Sequence, residues 1–277
     1  MKTIWTICTH ELRILLRSKS IFSFAAIFSI LAVTIVYFGS MTAKADFIGF
    51  NRMTASLLNL CLFIIPLLTL LIGSTFFSGE KENGLFSLLM TYPISSTQAV
   101  VGKFISLLIA IFAVVTFGYG LALIILFISA GNMPLSLFFL FYGFTLLLAM
   151  MFLAISIFVG IISSNRFQAL GVSIMSWAFF VLFFEFVIMG IASIIPKQAI
   201  LPMFTASILI NPVEIVRVWT IVAMGSGTVF GPSLYDMTIW AEGLVGQIAF
   251  ASSTILWTIL PLLITVLLVK RGAYNGK

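Results

Sequence analysis

Residues 135–162 read LSLFFLFYGFTLLLAMMFLAISIFVGII, and no charged residue interrupts this run. A helix needs about 20 predominantly apolar residues to cross the hydrocarbon core of a bilayer, so this run is long enough to span a membrane. In lipid it must be helical, because only a helix satisfies its backbone polar groups within one segment. Runs of the same kind recur, which gives six predicted spans at residues 21–39, 57–77, 104–130, 135–162, 167–195 and 246–269.

The composition of the whole chain agrees with a membrane protein. It is 62% hydrophobic and 8% charged, with a mean hydropathy of +1.25, whereas a soluble domain has about 25% charged residues. Such a chain cannot cover a water-facing surface. We therefore predict an all-α integral membrane protein, with one transmembrane domain over residues 1–277.

The basic residues predict the orientation of the spans. With the N-terminus in the cytoplasm, most of the 14 basic residues fall on the inner side, and the positive-inside rule then favours an N-in, C-in topology. This explains the net charge of +6 without a nucleic-acid partner. The inner residues are Lys2, Arg13, Arg17, Lys19, Lys81, Lys103, Arg166, Lys270, Arg271 and Lys277, and the outer ones are Lys44, Arg52, Lys197 and Arg217.

Residues 2–19 are predicted to form an amphipathic helix on the inner leaflet, because apolar and basic residues separate onto two faces. It either anchors the first span or also contacts a cytoplasmic partner. The predicted apolar face holds Ile4, Trp5, Cys8, Leu12, Leu15 and Leu16, and the opposite face holds Thr6, Thr9, His10, Arg13 and Arg17.

A compact polar segment, residues 79–103, separates the second and third spans. Its first part predicts a short helix over about 79–92. Glu80 and Glu82 are expected near the start of that helix, where the helix dipole favours acidic charge. Pro93 ends it, because proline cannot continue a helix.

A second helix is expected immediately after this proline. Ser95 and Gln98 have the spacing of a capping box, in which the two side chains satisfy each other's backbone amides. The 79–103 segment is then either an ordinary amphipathic linker or a rigid lever that transmits a push from a cytoplasmic protein.

The longest connection, residues 196–245, is predicted to face outward. Within it Asn211 has the character of an N-cap, Pro212 of the first helical position and Glu214 of the third. This helix is expected to run to about Met224. Whether the part before it is re-entrant or interfacial stays open.

Glu185 lies near the middle of the fifth predicted span. An acidic residue at that depth costs about 2.5–3.5 kcal/mol on insertion scales, and such residues usually face a cavity or another helix. Two interpretations are open. Glu185 lines a translocation path or pairs across a dimer interface, or it is protonated and bonded to the backbone of a neighbouring helix.

The sequence lacks the motifs of an ATPase or a hydrolase. Gly102 and Lys103 form a Gly-Lys pair, but Phe104 follows it and Thr97 stands where a phosphate-binding loop needs its first glycine. There is no HExxH or GxSxG motif, and His10 is the only histidine. We therefore expect a subunit without catalysis and without a bound cofactor.

The 79–103 segment resembles the hallmark of ABC-2 type transporter permeases. Two acids precede Gly-Leu-Phe-Ser-Leu-Leu-Met-Thr-Tyr-Pro, and Gly-Lys-Phe follows about ten residues on. The resemblance extends to the basic N-terminus, the six spans and the Asn-Pro-Val-Glu-Ile-Val-Arg motif that ends at Arg217. Within the family the chain is most similar to the membrane subunits of NosDFY transporters, which take part in copper-site maturation of nitrous oxide reductase.

The resemblance implies a homodimer in the cytoplasmic membrane of a prokaryote, with a separate cytoplasmic NosF-like ATPase that binds ATP and magnesium. It further implies an extracytoplasmic NosD-like partner, and a coupling helix at residues 80–92 seated in the ATPase. The candidate coupling residues are Glu80, Glu82, Gly84, Leu85, Phe86, Leu88, Leu89, Tyr92 and Pro93.

The same resemblance implies export of a sulfur or copper species. The alternatives are a generic ABC-2 exporter of a lipid, antibiotic or peptide, and a subunit that transmits ATP-driven motion without transport. An intramembrane enzyme would need paired ionisable residues inside the spans, and only Glu185 is found there.

A copper site within this chain is not expected. Cu(I) favours clustered cysteine and methionine, whereas Cys8 and Cys61 are far apart and are expected to act as small apolar residues. Any metal handling is expected on partner proteins. The outward methionines are scattered through different segments, at Met41, Met53, Met133, Met203, Met224 and Met237.

Overall fold

The computed structural model describes residues 2–42, 52–128 and 135–273, and within them it is helical with no strand. The all-α prediction is therefore confirmed for this part of the chain. The helices are α1 Lys2–Leu15, α2 Lys19–Thr42, α3 Arg52–Glu82, α4 Leu85–Met90, α5 Ser96–Ile128, α6 Leu135–Ile162, α7 Arg166–Ala178, α8 Phe184–Ala192, α9 Lys197–Ile210, α10 Pro212–Ala223, α11 Tyr235–Glu242 and α12 Leu244–Lys270.

Six of these helical stretches are long and apolar enough to cross a membrane, as predicted. Several begin earlier or end later than the sequence indicated, because polar residues at the ends of a span continue the helix beyond the apolar run. Some predicted features lie outside the described residues: the last two residues of the third span, 129 and 130, and also Lys44, Met133 and Lys277. The candidate spans are Ile21–Gly39, Met53–Glu82, Ser96–Ile128, Leu135–Ile162, Arg166–Ala192 and Leu244–Lys270.

The core of the bundle is the packing of α3 against α6. Gly160 of α6 lies so close to α3 that an added Cβ would come within 2.7 Å of the Phe77 Cβ. Gly73 of α3 faces Ser156 at a similarly short separation. Small residues let transmembrane helices approach closely, which strengthens their van der Waals contact.

The N-terminal helix is shorter than predicted, and one of its sides packs on the bundle. It ends at Leu15, and α2 begins at Lys19, so residues 2–19 are not one helix. Cys8 and Leu15 of the predicted apolar face are buried against the bundle, and so is Glu11, whereas Trp5 is 65% exposed. Glu11 is buried because its carboxylate has a partner in another helix.

The fifth span is not a uniform α-helix. Between α7 and α8, residues 179–183 form a π-helix, and α8 ends at Ala192 rather than near residue 195. The backbone oxygen of Phe180 in this segment accepts a hydrogen bond from Asn211 Nδ2 at 2.8 Å. A π-helical turn leaves carbonyls displaced from the regular pattern and is frequent at functional sites.

Asn211 also starts α10, as predicted. Its side chain accepts a hydrogen bond from the Val213 amide at 3.0 Å, Pro212 occupies the first turn, and the helix is capped at Met224. Helices α9 and α10 are bent by 107° at this point, which is the geometry of a broken span or of a re-entrant loop.

Part of the 196–245 segment packs into a small second core that it shares with the start of α12. Trp219 of α10 stacks on Phe250 of α12 with ring centroids 5.6 Å apart, and its indole donates to Gln247 Oε1 at 2.7 Å. Trp219 also meets Phe144 of α6 edge to face. The buried members of this core are Ile208, Ile215, Val218, Val222, Met237, Ala241 and Phe250.

Candidate functional site

The polar segment after the second span folds differently from the prediction. Helix α3 continues through Glu80 to Glu82, and the short helix is only Leu85–Met90 rather than 79–92. Glu80 and Glu82 thus lie in the last turn of α3 and not at the start of α4. The chain reverses at Gly84, whose φ of 71° is accessible to glycine without strain.

The side chain of Glu80 points into the bundle. It accepts a hydrogen bond at 2.5 Å from Lys103 Nζ of α5, and Lys103 is only 1% exposed. Glu11 of α1 is a second carboxylate partner of the same ammonium group. A buried charge must be paired to be tolerated, and two charge-assisted hydrogen bonds satisfy this one.

Two aromatic rings complete the surroundings of Lys103. Its ammonium lies 5.6 Å from the centroid of Phe76 and 5.8 Å from that of Phe86. Both separations are within the range of a cation–π attraction. The lysine therefore contacts side chains from α1, α3 and α4 at once.

The next two charges bind other helices. Lys81 Nζ donates to the backbone oxygens of Ile161 and Ser163 at 2.9 and 3.2 Å, where the end of α6 leaves carbonyls unpaired. Glu82 Oε2 accepts a hydrogen bond at 3.1 Å from the amide of Arg166, the first residue of α7. An acidic group at that position suits the positive end of the α7 dipole.

Three consecutive charges thus bind three different places: Glu80 binds α5, Lys81 binds the end of α6, and Glu82 binds the start of α7. We call this end of the bundle the α4 end. Glu80 and Glu82 were predicted as coupling residues, and in the structure their carboxylates also bind neighbouring spans beside α4.

Three large apolar side chains are exposed at the α4 end, beside exposed polar residues such as Glu82 and Thr91. Leu85, Leu88 and Tyr92 are 55%, 57% and 60% exposed, and their spacing places them along one side of α4 and the turn after it. Phe86 is fully buried and packs on Phe77 of α3 with ring centroids 5.0 Å apart. We call the three exposed residues the α4 stripe.

The corner after α4 has the predicted capping box. The Ser95 amide donates to Gln98 Oε1 at 3.1 Å, and the Gln98 amide donates to Ser95 Oγ at 3.2 Å. Helix α5 begins at Ser96, directly after this cap; Pro93 lies in the short path between the two helices, and Leu89 lies in the last turn of α4. The corner is fixed by these reciprocal hydrogen bonds.

A second charged site lies toward the opposite end, where Glu185 of α8 pairs with Arg217 of α10. Arg217 Nη1 also lies 3.0 Å from Glu214 Oε1. The sequence left Glu185 either at a pathway or dimer interface or bonded to a backbone, whereas the structure pairs it with an arginine of the same chain. The three residues line a cavity of about 260 Å³ together with apolar residues such as Phe204 and Met237.

Residues that could hold a metal are not gathered together in the described part of the chain. It contains no group of three or more histidine, cysteine, aspartate or glutamate residues arranged to bind an ion. Met53, Met203 and Met237 lie in α3, α9 and α11 respectively. Cys61 Sγ lies 3.0 Å from Tyr119 Oη, so this thiol takes part in a hydrogen bond inside the bundle.

Sequence reasoning missed the roles of Glu11 and Lys103. Lys103 entered as an orientation signal and as part of the Gly-Lys-Phe motif, with no buried partner predicted, and Glu11 was assigned no role. The available signal was position: Glu11 lies one turn from Cys8 and Leu15 on a helical wheel, so it interrupts an apolar face. A charge on such a face indicates a buried partner in another helix.

The chain matches the family model described as ABC-2 family transporter protein over residues 5–271. It is 29% identical over 253 residues to the "Probable ABC transporter permease protein NosY" of Pseudomonas aeruginosa, covering 88% of this chain and 91% of the relative. It is 27% identical over 237 residues to the protein of the same name from Stutzerimonas stutzeri, covering 83% and 86%. The resemblance predicted from the sequence is confirmed, and the chain belongs to the ABC-2 transporter family as a multi-pass membrane permease.

Proposed function

We propose that this chain is a NosY-like permease that works as a homodimer in the cytoplasmic membrane of a prokaryote, with its N- and C-termini inside. An ABC-2 permease implies an ABC ATPase partner, and the partner proposed here is a NosF-like cytoplasmic ATPase. The support is the family match, which covers nearly the whole chain, and the two NosY relatives.

The coupling proposal rests on the different roles of the charged and the apolar side chains at the α4 end. The charges of α3 bind neighbouring spans, while the α4 stripe leaves its apolar side chains exposed. An amphipathic helix that lays its apolar side into a groove of a partner is a recurrent recognition mode. The ATPase therefore docks on Leu85, Leu88 and Tyr92 in this proposal.

The contacts behind α4 supply a route for the transmitted motion. Phe86 is packed against Phe77, so a displacement of α4 acts on the end of α3. The capping box at Ser95 fixes the corner between α4 and α5, so the same displacement also reaches the start of α5. Tightly packed elements transmit strain because interiors have low compressibility.

ATP and magnesium bind the partner in this proposal, and the chain itself is not an enzyme. The Gly102-Lys103 pair belongs to a transmembrane helix, and Lys103 is held by two carboxylates. Its ammonium is therefore engaged in the bundle and is not presented to a nucleotide phosphate.

The proposed role of the complex is to support the copper sites of nitrous oxide reductase, by exporting a sulfur or copper species or by transmitting motion to a NosD-like outer protein. The transmission alternative is favoured by one observation: the 196–245 segment shares a second hydrophobic core with the start of α12, and Val213, Val216 and Ile221 of α10 belong to the main core. A motion of the spans can therefore reach this segment and, through it, an outer partner.

Copurification tests the coupling part of the proposal. The tagged permease is coexpressed with the NosF-like ATPase and reconstituted in nanodiscs, and ATP hydrolysis is compared with that of the free ATPase. We expect a stable complex with altered hydrolysis. Failure of the two proteins to associate would contradict the proposal.

A deletion strain tests the physiological part. Nitrous oxide reductase purified from it should lack copper and its copper-dependent absorption, and a plasmid copy of the permease should restore both. A fully loaded reductase in the deletion strain would instead favour a generic ABC-2 exporter of a lipid, antibiotic or peptide.

A further inference from the structure

The contacts of Lys103 link two elements that the family resemblance does not connect. One carboxylate partner, Glu80, ends the helix that leads into α4, and the other, Glu11, belongs to the N-terminal helix α1. The same ammonium lies near the ring of Phe86 in α4. One buried side chain therefore lies between α1 and the helix that we propose to bind the ATPase.

Helix α1 is also seated closely on α5 beside this lysine. Gly102 has no side chain, and an added Cβ would lie 3.0 Å from Ile7 Cγ2 and 3.4 Å from the backbone oxygen of Ile4. Cys8 and Leu15 on the same side of α1 are buried. The close approach brings Glu11 within reach of Lys103 and keeps water away from the pair.

The charge balance makes the cluster depend on its lysine. Two carboxylates face one ammonium, and Glu11 Oε2 is buried without a hydrogen-bond partner in the described residues. Removal of Lys103 would leave two acids close together in a poorly solvated site, where like charges repel strongly. Removal of the Glu11 carboxylate would still leave a matched pair of Lys103 and Glu80.

We propose that Lys103 is a positioning residue that joins α1 to α4, so that the two helices move as one coupling unit when the ATPase acts. This inference rests on the proposed function, since it assigns α1 to the same coupling apparatus. The N-terminal helix then does more than anchor the first span, because it carries the displacement of α4 directly to α2.

The distance between α1 and α4 is the quantity to measure. Cys8 and Cys61 are replaced by alanine, and spin labels are attached at cysteines introduced at Thr9 of α1 and Thr91 after α4, both of which are exposed. Double electron–electron resonance is recorded on the permease in nanodiscs, alone and with the NosF-like ATPase, without nucleotide and with a non-hydrolysable ATP analogue. Labelled permease is mixed with an excess of unlabelled permease, so that the Thr9–Thr91 distance within one protomer dominates. We expect this distance to be narrow and unchanged by nucleotide.

Substitutions at Lys103 should remove this rigidity. Lys103→Met should give a broad or nucleotide-dependent distance, whereas Lys103→Arg should keep the narrow one. Lys81→Met is the matched control, because Lys81 is a neighbouring lysine that binds α6 and not α1. Glu11→Ala is a second variant that breaks the link to α1 but preserves the pair of Lys103 and Glu80, and it should also broaden the distance.

A second label pair separates this inference from the proposed function. Labels at Thr91 and Ser164 report whether α4 moves relative to the end of α6. If nucleotide changes neither the Thr9–Thr91 nor the Thr91–Ser164 distance, the coupling proposal fails. The width of the Thr9–Thr91 distance in the permease alone still tests whether Lys103 joins α1 to α4. A distance that stays equally narrow in Glu11→Ala and Lys103→Met would overturn the inference, as would a wild-type Thr9–Thr91 distance that shifts with nucleotide.

Discussion

Replacing two leucines of the α4 stripe should weaken binding of the ATPase without unfolding the permease. Full burial of a leucine side chain is worth about 1.5–3 kcal/mol. Leu85 and Leu88 are 55% and 57% exposed in the free chain, so docking can bury about half of each and gain roughly 0.8–1.5 kcal/mol per leucine. Leu85→Ser with Leu88→Ser should therefore raise the Kd by about 15- to 140-fold, at 1.4 kcal/mol per tenfold change.

The assay is equilibrium binding of the purified NosF-like ATPase to the permease in nanodiscs. The matched control is Leu244→Ser with Val245→Ser, which removes two exposed aliphatic side chains at the start of α12, near the opposite end of the bundle. The control should bind the ATPase like the wild type.

Thermal unfolding shows whether the loss of binding is specific. The double variant should unfold close to the wild-type temperature, because more than half of each leucine lacks contacts in the free permease. Phe86→Ala should unfold at a much lower temperature, since loss of a fully buried phenylalanine costs about 3–5 kcal/mol. An unchanged Kd in the leucine variant would refute the assignment of the α4 stripe as the docking surface.

Three further predictions concern other parts of the chain. Gly160→Ala should destabilise the bundle by about 1–3 kcal/mol through overpacking against α3, whereas Gly171→Ala, with open space around its Cβ, should leave the unfolding temperature nearly unchanged. Arg217→Met should lower stability more than Glu185→Gln, because the arginine pairs two carboxylates and its loss leaves both uncompensated; equal unfolding temperatures would contradict this pairing. Burial raises the pKa of the Cys8 thiol, so the thiol should react slowly with N-ethylmaleimide in the folded protein and rapidly in denaturant, as measured by mass spectrometry.

The spans were predictable because their signal is local. The run at 135–162 coincides with α6, since an uncharged run of that length has no other stable state in lipid. The cap at Asn211 and the capping box at Ser95 were also predictable, because each depends on residues two or three positions apart.

The charged sites were not predictable in the same way. Glu11 and Lys103 are 92 positions apart, and their contact depends on how α1 lies on α5. Glu80 was expected to begin a helix, but nothing between it and Gly84 interrupts α3, so the helix of the span continues to Glu82. Exposed leucines are equally ambiguous from sequence, since lipid and a protein partner both favour apolar side chains.

Photo-crosslinking from α4 tests most directly the central claim that the ATPase docks on the α4 stripe. A photoreactive phenylalanine analogue replaces Leu88 in one permease and Leu244 in another, and each complex with the NosF-like ATPase is irradiated. We predict a covalent product of permease and ATPase from position 88 that depends on light, and no such product from position 244. A product from position 244 with none from position 88 would contradict the account, because the ATPase would then bind the opposite end of the bundle.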